Sequence, residues 1–241
     1  MKTAGIIIIG NEILSGKVTD INSPYLCKEL RILGVEVQQI ITIPDIPEII
    51  GQTVRDFSEQ FSWVFTSGGI GPTHDDITVA SIAKGFGIEL FEAPQIMKAI
   101  QNYRGEKITA AHRRMAMIPE GSELIEYAEG RGPQLKFRNI FVFPGIPEYL
   151  KIRFASIKER FRTTPIVLKQ IYLKVDEGEI ADSLDATMSE FPKLMLGSYP
   201  KVSGSDYDVK LTLECRDSVY LDKALNFLCE RLPEECILRF E

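Results

Sequence analysis

The stretch AGIIII at residues 4–9 constrains the fold more than any other part of the 241-residue chain. Apolar, mostly β-branched side chains at successive positions, with no polar alternation, require burial on both faces. That is the pattern of a central strand in a parallel sheet. The next segments fit such a strand. Asn22-Ser23-Pro24 offers a cap and an early proline, Leu26, Leu30 and Leu33 recur at helical spacing, and Gly34 stops the helix. A second strand is expected over residues 35–43, closing at Pro44-Asp45. A helix over residues 47–61 follows, with Ile49, Ile50, Val54, Phe57 and Phe61 as its apolar stripe. Residues 62–65 read as a third strand, and residues 77–86 as a helix closed by Gly87. Three strand–helix units with short connections predict an α/β fold, a three-layer doubly wound, mostly parallel sheet.

Residues 94–103 and 108–117 read as two more helices, residues 138–143 as another buried strand ending at Pro144-Gly145-Ile146-Pro147, and residues 148–161 as a closing helix. Thr163-Thr164-Pro165 then marks a change of style, which sets domains at residues 1–163 and 164–241. In the second, strands are expected at 167–175, 194–199, 207–214 and 236–240, with helices at 178–191 and 219–232. The order βαββαβ predicts a small ferredoxin-like sandwich, with residues 202–206 as the turn between its middle strands.

Composition narrows function by exclusion. A net charge of -6 argues against a nucleic-acid binder with a general basic surface, yet allows a small anionic substrate in a local pocket. No apolar stretch approaches the roughly 20 residues that span a bilayer. The opening apolar run is too short for a signal peptide, and Asn11-Glu12 stands where a cleavage site would lie, so a cytoplasmic protein without a membrane partner is expected. Cys27, Cys215, Cys229 and Cys236 lack C-x-x-C spacing and nearby His partners, which points to buried free thiols rather than zinc.

Ligands of open parallel sheets bind outside the carboxyl ends of the strands, at a topological switch point. Four segments put unusual residues at that edge: Gly10-Asn11-Glu12, Asp45, TSGGIGPTHDDIT at residues 66–78, and Pro144-Gly145-Ile146-Pro147. In the long loop, Ser67, Gly68, Gly69, Gly71 and Thr73 suit a backbone that approaches phosphate, and the following helix aims its N-terminus at the same place. The alternative is a tight strand-to-helix turn. Asp75 and Asp76 either cap that helix or, with Asp45 and Glu12, face a cation. Hard divalent ions take one or two carboxylates plus substrate phosphate oxygens, so a metal bridging the aspartates and the phosphates reconciles the loop's two characters. His74 is a candidate for proton transfer or phosphate contact, Arg113 and Arg114 are candidate phosphate clamps, and Lys17 has similar standing. The loop is neither a Walker loop nor a G-x-G-x-x-G turn.

The segments GNEILSGKVTDINSPYL, TIPD, TSGGIGPTHDDIT and PGIPEYL together resemble the molybdopterin-binding (MoaB/MogA-like) domain in its CinA N-terminal form. LGSYPKVSGSDYDVKLTL and LCERLPEECIL resemble the small domain that follows it in the N-terminal region of eukaryotic FAD synthase. The resemblance implies metal-dependent hydrolysis of a nucleotide pyrophosphate, either FAD or ADP-ribose. It also implies a divalent ion (Mg²⁺, Mn²⁺ or Co²⁺, with K⁺ as a further candidate) and a tendency to form homo-oligomers. Asp45 and Asp76 match the acidic pair used with Mg²⁺, Gly68 to Gly71 the phosphate loop, and Asn11 and Glu12 the first-strand motif; Glu12 and Asp75 are the assisting carboxylates. Where CinA sequences carry GTAPG, this chain has Gly130-Arg-Gly-Pro-Gln134, with Arg131 in place of a backbone contact, which favours FAD or another dinucleotide over ADP-ribose. The relatives' amidase or adenylyltransferase domain is not expected in this length. A molybdopterin adenylyltransferase and a non-catalytic pterin- or flavin-nucleotide-binding module are the competing readings.

Overall fold

The computed structural model describes residues 2–105, 107–126, 132–201, 206–233 and 235–241. The chain forms two compact units, Met1–Thr163 and Thr164–Glu241. Gly130, Arg131 and most of the turn at 202–206 lie outside the described residues.

The first unit runs β1 (Thr3–Ile9), α1 (Asn11–Leu14), α2 (Asn22–Ile32), β2 (Glu36–Ile43), α3 (Pro47–Gln60), β3 (Trp63–Ser67) and α4 (Thr78–Phe86). It continues with β4 (Leu90–Glu92), α5 (Pro94–Arg104), α6 (Ala110–Arg114), β5 (Met117–Pro119), β6 (Glu123–Ile125), β7 (Gln134–Phe137), β8 (Ile140–Phe143) and α7 (Pro147–Ile157), ending in a 3₁₀ turn at Lys158–Phe161. The main sheet has the order β2-β1-β3-β8-β7-β6. β2, β1, β3 and β8 are parallel, while β7 and β6 extend the sheet antiparallel. After β2 the chain crosses to the other side of β1, so the switch point lies between β1 and β3.

Alternate residues of the strands serve opposite faces. Ile6, Ile8, Phe65, Phe141 and Phe143 pack with Leu26 and Leu30 of α2 and Leu150 and Phe154 of α7. Ile7, Ile9, Val64 and Val142 pack with Ile50, Val54 and Phe57 of α3 and Ile82 of α4. This is the three-layer doubly wound arrangement that the apolar run at 4–9 required. On the second face α3 and α4 touch backbone to backbone: a Cβ on Gly85 would stand 2.6 Å from the Gly51 Cα.

The second unit runs β9 (Val167–Leu173), α8 (Glu177–Glu190), β10 (Met195–Pro200), β11 (Val209–Cys215), α9 (Ser218–Cys229) and β12 (Ile237–Phe240). Its sheet, β10-β11-β9-β12, is antiparallel throughout, the order of a ferredoxin-like βαββαβ sandwich. All four cysteines are free thiols, Cys215 and Cys236 buried and Cys27 and Cys229 half-buried.

Three local expectations need correction. The helix over 108–117 shrinks to α6, because Met117–Pro119 pairs with Leu90–Glu92 in a two-stranded ribbon. The strand expected at 138–143 begins only at Ile140. Arg138, at φ 53°, turns the chain back from β7, a hairpin partner not foreseen. Asn22 is not the cap of α2. Asp20 takes that part, its Oδ1 accepting from the Asn22 and Ser23 N–H groups at 2.9 and 3.1 Å.

Candidate functional site

The registers bring the ends of β2, β1, β3 and β8 level. Ile9 faces Ile43, Ile8 faces Ser67, and Ser67 faces Phe143. The four segments singled out in the sequence therefore leave the sheet along one edge.

At the first, Gly10 N–H donates to the Ile43 carbonyl at 3.1 Å, and Asn11 N–H donates to Asp45 Oδ2 at 2.8 Å. Asp45 thus crosses from β2 to the end of β1. The Glu12 carboxylate folds back over Gly10, where a Cβ would lie 2.5 Å from its Oε1. Only glycine leaves it that space.

Gly68 is wedged between the ends of β1 and β8. Its N–H donates to the Phe143 carbonyl at 3.2 Å, its φ is 113°, and a Cβ there would fall 2.1 Å from the Ile9 carbonyl oxygen. Gly69, at φ 66°, leaves its carbonyl to accept from Thr78 N–H at 3.0 Å. Thr78, fully buried at the start of α4, also donates its hydroxyl to the Gly68 carbonyl at 2.9 Å. α4 therefore grips the loop at two points.

Asp75 and Asp76 do not cap α4, whose N-cap is Ile77 without a side-chain bond. Asp76 instead braces its own loop. Its Oδ1 accepts from Gly71 N–H at 2.6 Å, and its Oδ2 accepts from Thr73 N–H at 2.7 Å and Thr73 Oγ1 at 2.5 Å. The single Thr73 hydroxyl proton is shared with Asp75 Oδ1, also at 2.5 Å, and this hydrogen bond is the main cause that holds the Asp75 carboxyl below the usual range. Gly68 and Gly71 thus spend their N–H groups inside the protein. The N–H groups of Gly69 and Ile70 have no acceptor among the described residues, nor have those of Gly145 and Ile146 on the neighbouring loop. The two loops touch, since a Cβ on Gly145 would stand 3.3 Å from the Gly68 Cα.

Ser67, buried at the end of β3, donates to the Pro144 carbonyl at 3.2 Å. Arg114 lies 3.5 Å from the Pro72 carbonyl and so borders the glycine loop. Arg113 points elsewhere, to Glu92 at 3.7 Å, because successive residues of the short α6 face different ways. The His74 side chain is 98% exposed, with Asp75 at 3.9 Å. It is an exposed polar loop residue.

A three-ligand cage of Asp45, Asp76 and Glu12 is not assembled. Among the described residues no group of three or more His, Cys, Asp or Glu stands ready to hold an ion; Asp45 and Asp76 are each turned to backbone N–H groups nearby. The carboxylates present would suit the arrangement read from the sequence, an ion that takes its remaining ligands from phosphate oxygens. Such an ion needs only one or two protein carboxylates. A carboxylate offers about four lone-pair sites, and Asp45 spends one of them, Asp76 three.

Asn22 is the residue that sequence reading missed. It is buried, and its Nδ2 donates to Ser67 Oγ at 3.0 Å and to the Gly145 carbonyl at 2.7 Å. An asparagine before Ser-Pro reads as a cap; only the fold shows it turned inward.

The sheet and its switch-point edge lie within residues 5–163, which match the family model described as "Probable molybdopterin binding domain". The chain belongs to that family, and residues 165–241 match the FAD synthase middle domain. It is 36% identical over 196 residues to a protein of Archaeoglobus fulgidus, covering 81% of this chain and 85% of that one. It is 28% identical over 259 residues to a "Probable FAD synthase" of Caenorhabditis elegans, covering 96% of this chain and half of that protein. The chain therefore spans about half the length of the FAD synthase it matches. Among solved structures it is similar to the protein CinA, of unknown function, from Thermoplasma acidophilum, with TM-score 0.62 and 29% identity, covering 66% of this chain and 98% of that one. Among the described residues no helix is long and apolar enough to cross a membrane.

Proposed function

We propose that the chain is a metal-dependent nucleotide pyrophosphatase that hydrolyses FAD to FMN and AMP, or a similar dinucleotide such as ADP-ribose. The observation that carries this reading is the pair of touching loops with four N–H groups lacking acceptors among the described residues, beside the carboxylates of Asp45 and Asp76. N–H groups without acceptors suit the non-bridging oxygens of a phosphate, where charge grows as water attacks. The names of the relatives, FAD synthase and CinA-like protein, support a nucleotide-modifying enzyme.

The residues divide the work. Gly69, Ile70, Gly145 and Ile146 offer N–H donors to the anion. Asp76 holds the loop in shape through Gly71 and Thr73. Asp45 keeps most of its lone pairs for an ion, with Glu12 alongside. A divalent ion bound through Asp45 and Asp76 would polarise the phosphorus and lower the pKa of the attacking water.

The test is chromatographic product analysis with FAD and, separately, ADP-ribose, using metal-stripped protein with Mg²⁺, Mn²⁺ or Co²⁺ restored. FMN plus AMP formed only with metal is expected from FAD. Asp76→Ala should abolish that turnover, since it removes an ion ligand and unbraces the loop. Full activity in the variant would sink the carboxylate model. The FAD synthase name favours a second reading, adenylyl transfer, and adenylylation of FMN or molybdopterin from ATP without FAD hydrolysis would select it.

A further inference from the structure

We infer that Asn22 is a positioning residue that fixes the spacing between the loop after β3 and the loop after β8, and with it the spacing of the two pairs of N–H groups offered to an anion. The inference rests on the proposed reading of this edge as a phosphate site. Asn22 opens α2, yet its carboxamide nitrogen donates outside its own helix. One Nδ2 hydrogen goes to Ser67 Oγ on β3, and the other to the Gly145 carbonyl after β8. The Ser67 hydroxyl in turn donates a hydrogen bond to the Pro144 carbonyl. The direction of the chain is fixed, because the Gly145 carbonyl can only accept, so the amide nitrogen must face it. Three segments far apart in sequence are thereby tied at one side chain.

Neither helix capping nor packing explains the asparagine. The capping part is taken by Asp20. Asn22 Oδ1 is buried with no hydrogen-bond partner, an orphan that an apolar side chain of the same size would avoid. What the carboxamide alone provides is two donors at a set angle, one for each strand end. Without them the loop after β8 keeps the Gly68–Phe143 and Ser67–Pro144 bonds, so the fold remains and only the last residues of the loop drift.

The experiment measures binding of inorganic pyrophosphate to the full chain by titration calorimetry between about pH 5 and pH 8. Each variant is expressed as a ratio to wild type at the same pH, which cancels the probe's own ionisation. Asn22→Ala should bind about tenfold more weakly at every pH. Asn22→Asp should match it at pH 8, where the introduced carboxylate faces the Gly145 carbonyl and repels it. It should recover toward wild type at pH 5, as protonation supplies a donor. Burial and the nearby Asp20 carboxylate both raise the pH at which this happens. Should Asn22→Ala fold poorly, the near-isosteric Asn22→Asp carries the test alone. Unchanged affinity in both variants, or an equal loss at all pH, would overturn the positioning role while leaving the phosphate reading intact. Wild type that binds no pyrophosphate would remove that reading, and this inference with it.

Discussion

Gly68→Ala tests how rigidly the glycine loop is set into the sheet. The backbone there has φ 113°, a region that costs a non-glycine residue about 1–3 kcal/mol. The new methyl would also stand 2.1 Å from the Ile9 carbonyl oxygen, which belongs to β1 in the middle of the sheet. Relieving that contact needs roughly 1 Å of movement between β1 and β3, an overpacking cost of about 1–3 kcal/mol. Together the substitution should cost about 2–6 kcal/mol. At about 2–4 °C per kcal/mol for a chain of this size, the melting point falls by roughly 4–24 °C. Trp63, the single tryptophan, lies on β3 and packs against Phe161, so its fluorescence follows the first unit alone. Gly16→Ala is the control. Gly16 has φ 72° but nothing within 4 Å of its would-be Cβ, so it carries only the conformational cost of about 1–2 kcal/mol. A Gly68→Ala melt no lower than that of Gly16→Ala would refute the argument that the contact with β1 pins the loop.

Phe161 is fully buried against Trp63, Phe65, Phe141 and Phe154. Phe161→Ala should destabilise the first unit by about 3–5 kcal/mol in urea titrations read at Trp63, and a loss below about 1 kcal/mol would contradict that packing. Thr73→Val should return the Asp75 carboxyl toward the ordinary range in an NMR titration, because the Thr73 hydroxyl is the main cause of its depression. The sign follows from the direction of the shift. The interaction stabilises above the unfolded carboxylate value, about 3.9, and is lost as pH falls through the folded value. An Asp75 titration unmoved by the substitution would assign the shift to another group.

The elements that frame the site were legible because each carried a strong local signal, an unbroken apolar run or a helical period. The unbroken run at 4–9, the leucines of α2 and the stripe of α3 needed no tertiary information. The ribbon of β4 and β5 did. Residues 108–117 are rich in alanine and charged residues and favour helix locally, but pairing with Leu90–Glu92 takes Met117–Pro119 into a strand. Three-residue strands are too short to show a period. Within the site, the loop at 66–78 could be picked out by its glycines and aspartates, though not how it folds on itself. Composition cannot reveal that the Gly71 N–H is spent on Asp76 while the Gly69 N–H has no acceptor among the described residues. Asn22 was hidden for a related reason, since its partners lie 45 and 123 residues away.

The crossing of α3 and α4 bears on how such a sequence can change over time. Gly51 and Gly85 leave no room for a methyl group on either helix: a Cβ on the first would meet the Ser81 carbonyl at 2.8 Å, and one on the second the Gly51 carbonyl at 2.5 Å. A mutation at one position cannot be compensated at the other, because glycine is already the smallest residue. Both sites are therefore closed to drift, singly and jointly. α3 follows directly on Asp45 and α4 on Asp76, so a lineage that parted these helices would also part its two acidic segments. Exposed surface such as that around Tyr103 stays open to substitution.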